Sequence, residues 1–160
     1  MRNILITAIF LLSSFCGSLS QALAEKGMLA NDFVLEDMSG EKVRLSDYRG
    51  KEEVILLFWA YRCHFCRNDL KALGSKAEEL KKYNNIELLS INVEDSKKVI
   101  ERFFARYNIN LKTLIDRNGD VAYDYGIIGI PAYIWIDKEG RIKYEGHSLP
   151  KITINKPIGE

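Results

Sequence analysis

The chain has 160 residues, with 23 Lys and Arg against 22 Asp and Glu, a formal net charge of +1. No basic excess is available to hold phosphates, which argues against a nucleic acid or other polyanion as partner. The length predicts one domain with a real hydrophobic core and leaves no room for several.

The amino end reads as a targeting segment. Arg2 supplies the charge, Ile4 to Phe15 the apolar stretch, and Ala22-Leu23-Ala24 an A-x-A cleavage site. An apolar stretch of about 12 residues falls short of the roughly 20 that span a bilayer. Cleavage after Ala24 and export, as to a bacterial periplasm, is the expectation; a retained membrane anchor is the alternative. Cys16 follows Phe15, which is too large to precede a lipidated cysteine, so Cys16 is expected to leave with the signal. Residues 1–24 hold one basic residue, Arg2, and no acidic one, so the remaining 136 residues carry a net charge of 0 and the cysteines Cys63 and Cys66.

Asp32 to Leu35 and Lys42 to Leu45 read as short strands joined by a turn at Met38-Ser39-Gly40. Ser46 to Gly50 reads as a capped helical turn ending in glycine. Val54 to Trp59 is a continuous apolar strand, as in a sheet covered on both faces. His64 to Tyr83 has helical spacing, with Leu70, Leu73, Ala77 and Leu80 on one face. Ile86 to Val93 is the next strand. Ser96 then caps a helix to about Tyr107 that turns Val99, Ile100, Phe103 and Phe104 inward. Leu111 to Ile115 is a strand, Asp116 to Gly119 a turn, and Val121 to Tyr125 a short helix stopped by Gly126. Ala132 to Ile136 and Arg141 to Glu145 form a hairpin about the turn Asp137 to Gly140. Strands alternating with helices predict a mixed α/β sheet.

The chemistry concentrates at Cys63-His64-Phe65-Cys66, directly after the Val54–Trp59 strand. A helix starting there aims its free N–H groups and positive end at the first sulfur, which stabilises a thiolate. The second sulfur, one turn later, is positioned to attack a mixed disulfide. A merely structural bridge across so short a loop would be a weak staple. Haem attachment is excluded because Arg67, not His, follows Cys66. A thiol peroxidase would need a lone activated cysteine in a Pro-Thr-type loop, and no such setting exists.

Three stretches carry a family resemblance: Leu45-Ser46-Asp47-Tyr48-Arg49-Gly50-Lys51; Leu57-Phe58-Trp59-Ala60-x-x-Cys63-x-x-Cys66-Arg67; and Gly129-Ile130-Pro131-Ala132-Tyr133-Ile134 with Ile136-Asp137-x-x-Gly140-Arg141-Ile142. Over roughly Asn31 to Gly146 the chain resembles the TlpA/ResA-type thioredoxin-like proteins. These are exported or membrane-tethered thiol–disulfide oxidoreductases, some of which maintain apocytochrome c cysteines reduced. The resemblance implies a thioredoxin-like fold, a central mixed β-sheet flanked by helices with extra N-terminal strands. It implies a layout of signal peptide 1–24, thioredoxin-like domain 25–148 and C-terminal tail 149–160.

The resemblance also implies roles. Cys63 matches the nucleophile, Cys66 the buried resolving thiol, and the pair a redox-active disulfide. Pro131 matches a cis-proline that leaves the Ile130 backbone free to pair with a substrate strand. Asp69 matches an acidic residue that exchanges a proton with Cys66; a solvated surface aspartate is the alternative. Leu57 stands where thioredoxin has a buried aspartate, which adds weight to Asp69. Tyr61 and Phe65, with Ile130, are expected to contact the substrate.

Arg62 and His64 depart from the family pattern and are expected to tune Cys63 toward the thiolate and a more oxidising couple. The expected function is reduction of exported protein disulfides, with a membrane electron donor or acceptor. The alternatives are an oxidant of secreted proteins and a Cu(I)- or Zn-binding module using Cys63, His64, Cys66 and His147. Adjacent Cys63 and His64 converge poorly on one ion, so no metal or other cofactor is expected. The family's closing helix is not evident after Gly146, which leaves a sheet face less covered or available for dimerisation.

Overall fold

In the computed structural model, residues 27–156 are described. The targeting segment around Ile4–Phe15 and Ala22–Ala24, and the last four residues of the tail, lie outside them. Seven strands form one sheet: β1 (Val34–Asp37), β2 (Lys42–Arg44), β3 (Glu53–Trp59), β4 (Ile86–Val93), β5 (Thr113–Asp116), β6 (Ala132–Ile136) and β7 (Ile142–Gly146). Their order is β2-β1-β5-β4-β3-β6-β7. The β3–β4 and β4–β5 pairs are parallel; the other four pairs are antiparallel. The helices are α1 (His64–Glu79), α2 (Lys97–Tyr107) and α3 (Asp120–Asp124). The sheet is mixed and flanked by helices, and β1 and β2 are the extra N-terminal strands: the fold is thioredoxin-like.

β3 is central, and its alternation divides the core. Val54, Leu56 and Phe58 face the layer built on Leu45, Val121 and Tyr125. Ile55, Leu57 and Trp59 face α1 and α2 through Cys66, Leu70, Ile100 and Phe103. Each such large apolar side chain contributes roughly 1.5–3 kcal/mol on burial. The Trp59 indole N–H donates to Ser90 Oγ at 3.1 Å, and Ser90 shares a 2.8 Å bond with Thr113 Oγ1. That buried polar chain ties β3, β4 and β5 together below the motif with its donors satisfied. The tail also packs here: Leu149, Ile152 and Ile154 lie on the α1 and α2 side, where they supply cover a closing helix would otherwise give.

Several local expectations are corrected. β1 begins at Val34, not Asp32, where backbone pairing with Arg44 of β2 starts; the Asp32 carboxylate bonds the Ser46 N–H, the Ser46 hydroxyl and Arg44. The Ser46 turn is a 3-10 turn over Leu45–Tyr48 with Arg44, which makes no side-chain cap, at its cap position. Ser96 does stand at the start of α2, but its backbone carbonyl, not its hydroxyl, accepts the Val99 and Ile100 N–H groups. The first helix ends at Glu79 and continues as a π turn, Leu80–Asn84, closed by Asn85 in the left-handed region. Asn108 closes α2 the same way, at φ 50°; asparagine tolerates this better than most residues. β5 runs Thr113–Asp116, later than expected, because Asp116 ends it buried, its carboxylate accepting the Val121 and Ala122 N–H groups at the start of α3.

Candidate active site

β3 delivers the chain to the rim of the sheet, and α1 begins four residues after it ends. Cys63 is the residue that caps the helix: its backbone is extended (φ −80°, ψ 110°), and its sulfur accepts the Cys66 N–H at 3.1 Å. The cap has a thiol where serine or aspartate usually sits, so the helix-starting N–H groups act on sulfur. Cys63 and Cys66 are joined by a disulfide, Cα to Cα 5.3 Å. Cys63 is half-buried, whereas Cys66 is fully buried against Leu57 and Trp59. Only the first sulfur is open to a partner.

The loop before β6 closes over this pair. The Ile130–Pro131 peptide is cis. The Ile130 carbonyl oxygen lies 3.5 Å from Cys63 Sγ, an acceptor for the Cys63 thiol once the disulfide is reduced. The loop has a second tether that the sequence did not suggest: His147 Nδ1–H donates to the Pro131 carbonyl at 2.8 Å. The imidazole considered as a metal ligand thus tethers the proline loop through Nδ1. Among the described residues no cluster of three or more His, Cys, Asp or Glu is arranged around a common point.

Behind Cys66, Asp69 is half-buried rather than a solvated surface carboxylate. Its Oδ2 accepts the Tyr133 hydroxyl at 2.7 Å. Tyr133 lies on β6 directly opposite Leu57 and is 1% exposed. Burial, then the hydrogen bond and charge of Asp69, push the Tyr133 hydroxyl well above the usual tyrosine range. It stays protonated and serves as a fixed donor. The sequence did carry a signal for it: a tyrosine inside an apolar central strand needs a partner for its buried hydroxyl.

The exposed lip carries the two residues expected to tune Cys63. Arg62, 70% exposed at its side chain, faces Glu94 at 3.6 Å. Glu94 stands at φ 66°, left-handed for a non-glycine residue. Arg67 points Nη2 at His64 Nδ1 (3.3 Å); because a guanidinium only donates, that ring nitrogen is the acceptor. Arg67 Nη1 also donates to the Tyr61 carbonyl at 2.7 Å. The Tyr61 N–H donates to the Asp95 carboxylate, which is held in turn by buried Asn92. Tyr61 and Phe65 are exposed, Phe65 at 73%. The site therefore unites Cys63, Cys66, Ile130 and Pro131, holds Asp69 behind them through Tyr133, and leaves Arg62, His64 and Phe65 on the rim.

Comparison with known proteins agrees with this geometry. The profile of the AhpC/TSA family matches residues 27–145. The thiol-disulfide oxidoreductase ResA of Geobacillus thermodenitrificans is 36% identical over 117 residues, 73% of this chain and 66% of that protein. The chain belongs to the AhpC/TSA family, and within it is similar to the ResA proteins. The ResA of Halalkalibacterium halodurans is 32% identical over 122 residues, 76% of this chain and 68% of that protein. The match to the Geobacillus ResA thus spans slightly under two thirds of the relative's length. For the fold, a thiol:disulfide interchange protein from Bacteroides sp. superposes with a TM-score of 0.68 at 21% identity, covering 78% of this chain and 82% of that one.

Proposed function

We propose that this protein is a reductase of disulfides in exported proteins, working through Cys63 and Cys66. The observation that carries the reading is the unequal setting of the two sulfurs: one capping a helix and reachable, the other sealed in the core. The reduced Cys63 thiolate attacks a substrate disulfide, forming a mixed disulfide and releasing one substrate thiolate. Cys66 then loses its proton and attacks Cys63 Sγ, releasing the second substrate thiolate and leaving the internal disulfide. Two electrons pass to the substrate, and a membrane electron donor restores the dithiol. Asp69, held by Tyr133, takes the Cys66 proton. Ile130, beside the cis-proline, pairs with the substrate backbone, while Tyr61 and Phe65 contact its flanks.

Charge around Cys63 sets the direction of electron flow. Arg62 has Glu94 as its partner, so its charge beside Cys63 is opposed by a carboxylate. A less stabilised thiolate makes a more reducing couple. Apocytochrome c with oxidised haem-attachment cysteines is the substrate proposed for such a reductase in a periplasm. The test is exchange with the purified protein. Cys63→Ala should abolish turnover, and Cys66→Ala should accumulate mixed disulfides with the substrate. Full turnover by either variant would remove the assignment.

A further inference from the structure

A groove of about 430 Å³ opens two residues from Cys63, between the start of α1 and the outer face of α2. Its walls are Tyr61 and Arg67 on one side, and Val99, Arg102, Phe103 and Arg106 of α2 on the other, with Tyr107 at the end. No acidic residue lines it. Arg102 and Arg106 stand four residues apart on one helix face, a like-charge spacing that is destabilising by itself. Among the described residues, Arg67, Arg102 and Arg106 make no ion pair with a carboxylate within 4.0 Å. The nearby acidic groups are engaged elsewhere: Glu101 with Lys97, Asp95 with the Tyr61 N–H, and Asp69 with Tyr133. Lys71 adds a further cation at the edge, 3.9 Å from the centre of the Tyr107 ring.

The aromatic floor is built rather than incidental. The Tyr61 and Phe103 rings meet edge to face at 5.8 Å, and Phe103 and Tyr107 at 5.2 Å. Phe103 is buried while Tyr61 and Tyr107 are each more than 40% exposed. The opposite side of the disulfide is different in kind. There a groove of about 490 Å³ is lined by Ile127, Ile128 and Ile130 with Glu94 and Asp120, and its one cation, Arg62, is paired with Glu94.

We propose that the Arg67–Arg102–Arg106 groove docks an acidic segment of the protein whose disulfide is reduced, carboxylates on the guanidiniums and apolar side chains on the Tyr61–Phe103–Tyr107 floor. This rests on the proposed reaction with protein disulfides and adds the substrate class: cysteines followed or preceded by Asp and Glu. The chemistry is complementary charge, with planar guanidiniums suited to bidentate carboxylates. Docking beside the motif fixes which side of the mixed disulfide faces Cys66.

Two readouts test it. The first is binding, independent of catalysis: fluorescence anisotropy of Glu-flanked and Gln-flanked peptides, with Ser in place of Cys, on the oxidised protein. The Glu peptide should bind about tenfold more tightly at low salt, as several exposed pairs would give, and lose the advantage as salt rises. Arg102→Gln with Arg106→Gln should bring the ratio to about 1. Equal binding of the two peptides, or an advantage that survives in the double variant, would overturn the proposal. The second readout is exchange by the reduced protein with disulfide forms of the same peptides and with glutathione disulfide. A matching rate advantage for the Glu disulfide supports the docking role. The same advantage for glutathione disulfide, lost in the double variant, would make the groove a small-molecule carboxylate site and overturn the polypeptide assignment. Glu-selective binding without exchange on any disulfide would retire the reductase reading and leave the groove standing.

Discussion

Cys63 and Cys66 share one turn of α1, yet the regions around them are built on opposite rules. Around Cys63 the polar groups lie at the surface, Arg62 paired with Glu94 and Arg67 in contact with the Tyr61 carbonyl and the His64 ring. Around Cys66 the polar groups are few and fixed, Tyr133 donating to Asp69 beneath an apolar wall of Leu57 and Trp59. Surface pairs of the first kind are worth little and are screened by salt. A hydrogen bond of the second kind is costly to break because the buried Tyr133 hydroxyl cannot turn to water. The lip can therefore vary with the partner, while the wall sets the proton chemistry.

The comparison is broken most severely at the sulfurs themselves. Cys63→Ala should remove all exchange, while Cys66→Ala should keep the first attack and stall there. Mass spectrometry of the trapped adduct separates the two, and a similar adduct with both variants would erase the distinction between lip and wall. Next in size is the wall. Tyr133→Phe strips Asp69 of its donor and should lower stability by about 1 kcal/mol, read by denaturant melts. Asp69→Asn should displace the pH profile of exchange. An unchanged profile from about pH 5 to 9, the range flanking a free thiol, would take Asp69 out of the mechanism.

A smaller effect is expected at the loop. His147→Ala frees the Pro131 carbonyl and should slow exchange several-fold, roughly the cost of a lost positioning contact. The potential of the cysteine couple should stay the same; a moved potential would mean that His147 acts on the sulfurs directly. The smallest effect lies far from both regions. Burial tends to raise the Asp32 carboxyl, but the Ser46 N–H, Arg44 and the Ser46 hydroxyl outweigh it and hold it below the usual value. A lowered folded-state value gives stability that is present above about pH 4, the unfolded value, and is lost as pH falls through the folded one. Asp32→Asn should flatten that acid limb by a few tenths of a kcal/mol, the scale of an exposed pair.

The sequence made the scaffold and the sulfurs legible for a physical reason. The apolar run Val54–Trp59, the helical spacing of Leu70, Leu73 and Leu80, and two cysteines at a helix start are local patterns. β6 falls on Ala132–Ile136, as its apolar run predicts. The groups that hold the site were less legible because each acts across the chain. Tyr133 reaches Asp69 from 64 residues away, and Asp95 holds the Tyr61 backbone from 34. His147 reads as a potential ligand until β7 brings it to Pro131. Ser96 stands at the cap position of α2 as its residue type predicts, without a side-chain bond. The Ser46 hydroxyl is instead taken by Asp32, which a local reading of the turn does not show.

The most direct measurement is the reduction potential of the Cys63–Cys66 couple, from equilibration with glutathione or dithiothreitol and alkylation of the free thiols. With Arg62 paired to Glu94, the value should lie near or below about −220 mV, on the reducing side of the known range. A value near about −120 mV would mean that the cationic lip dominates the buried wall and that the protein oxidises its partners.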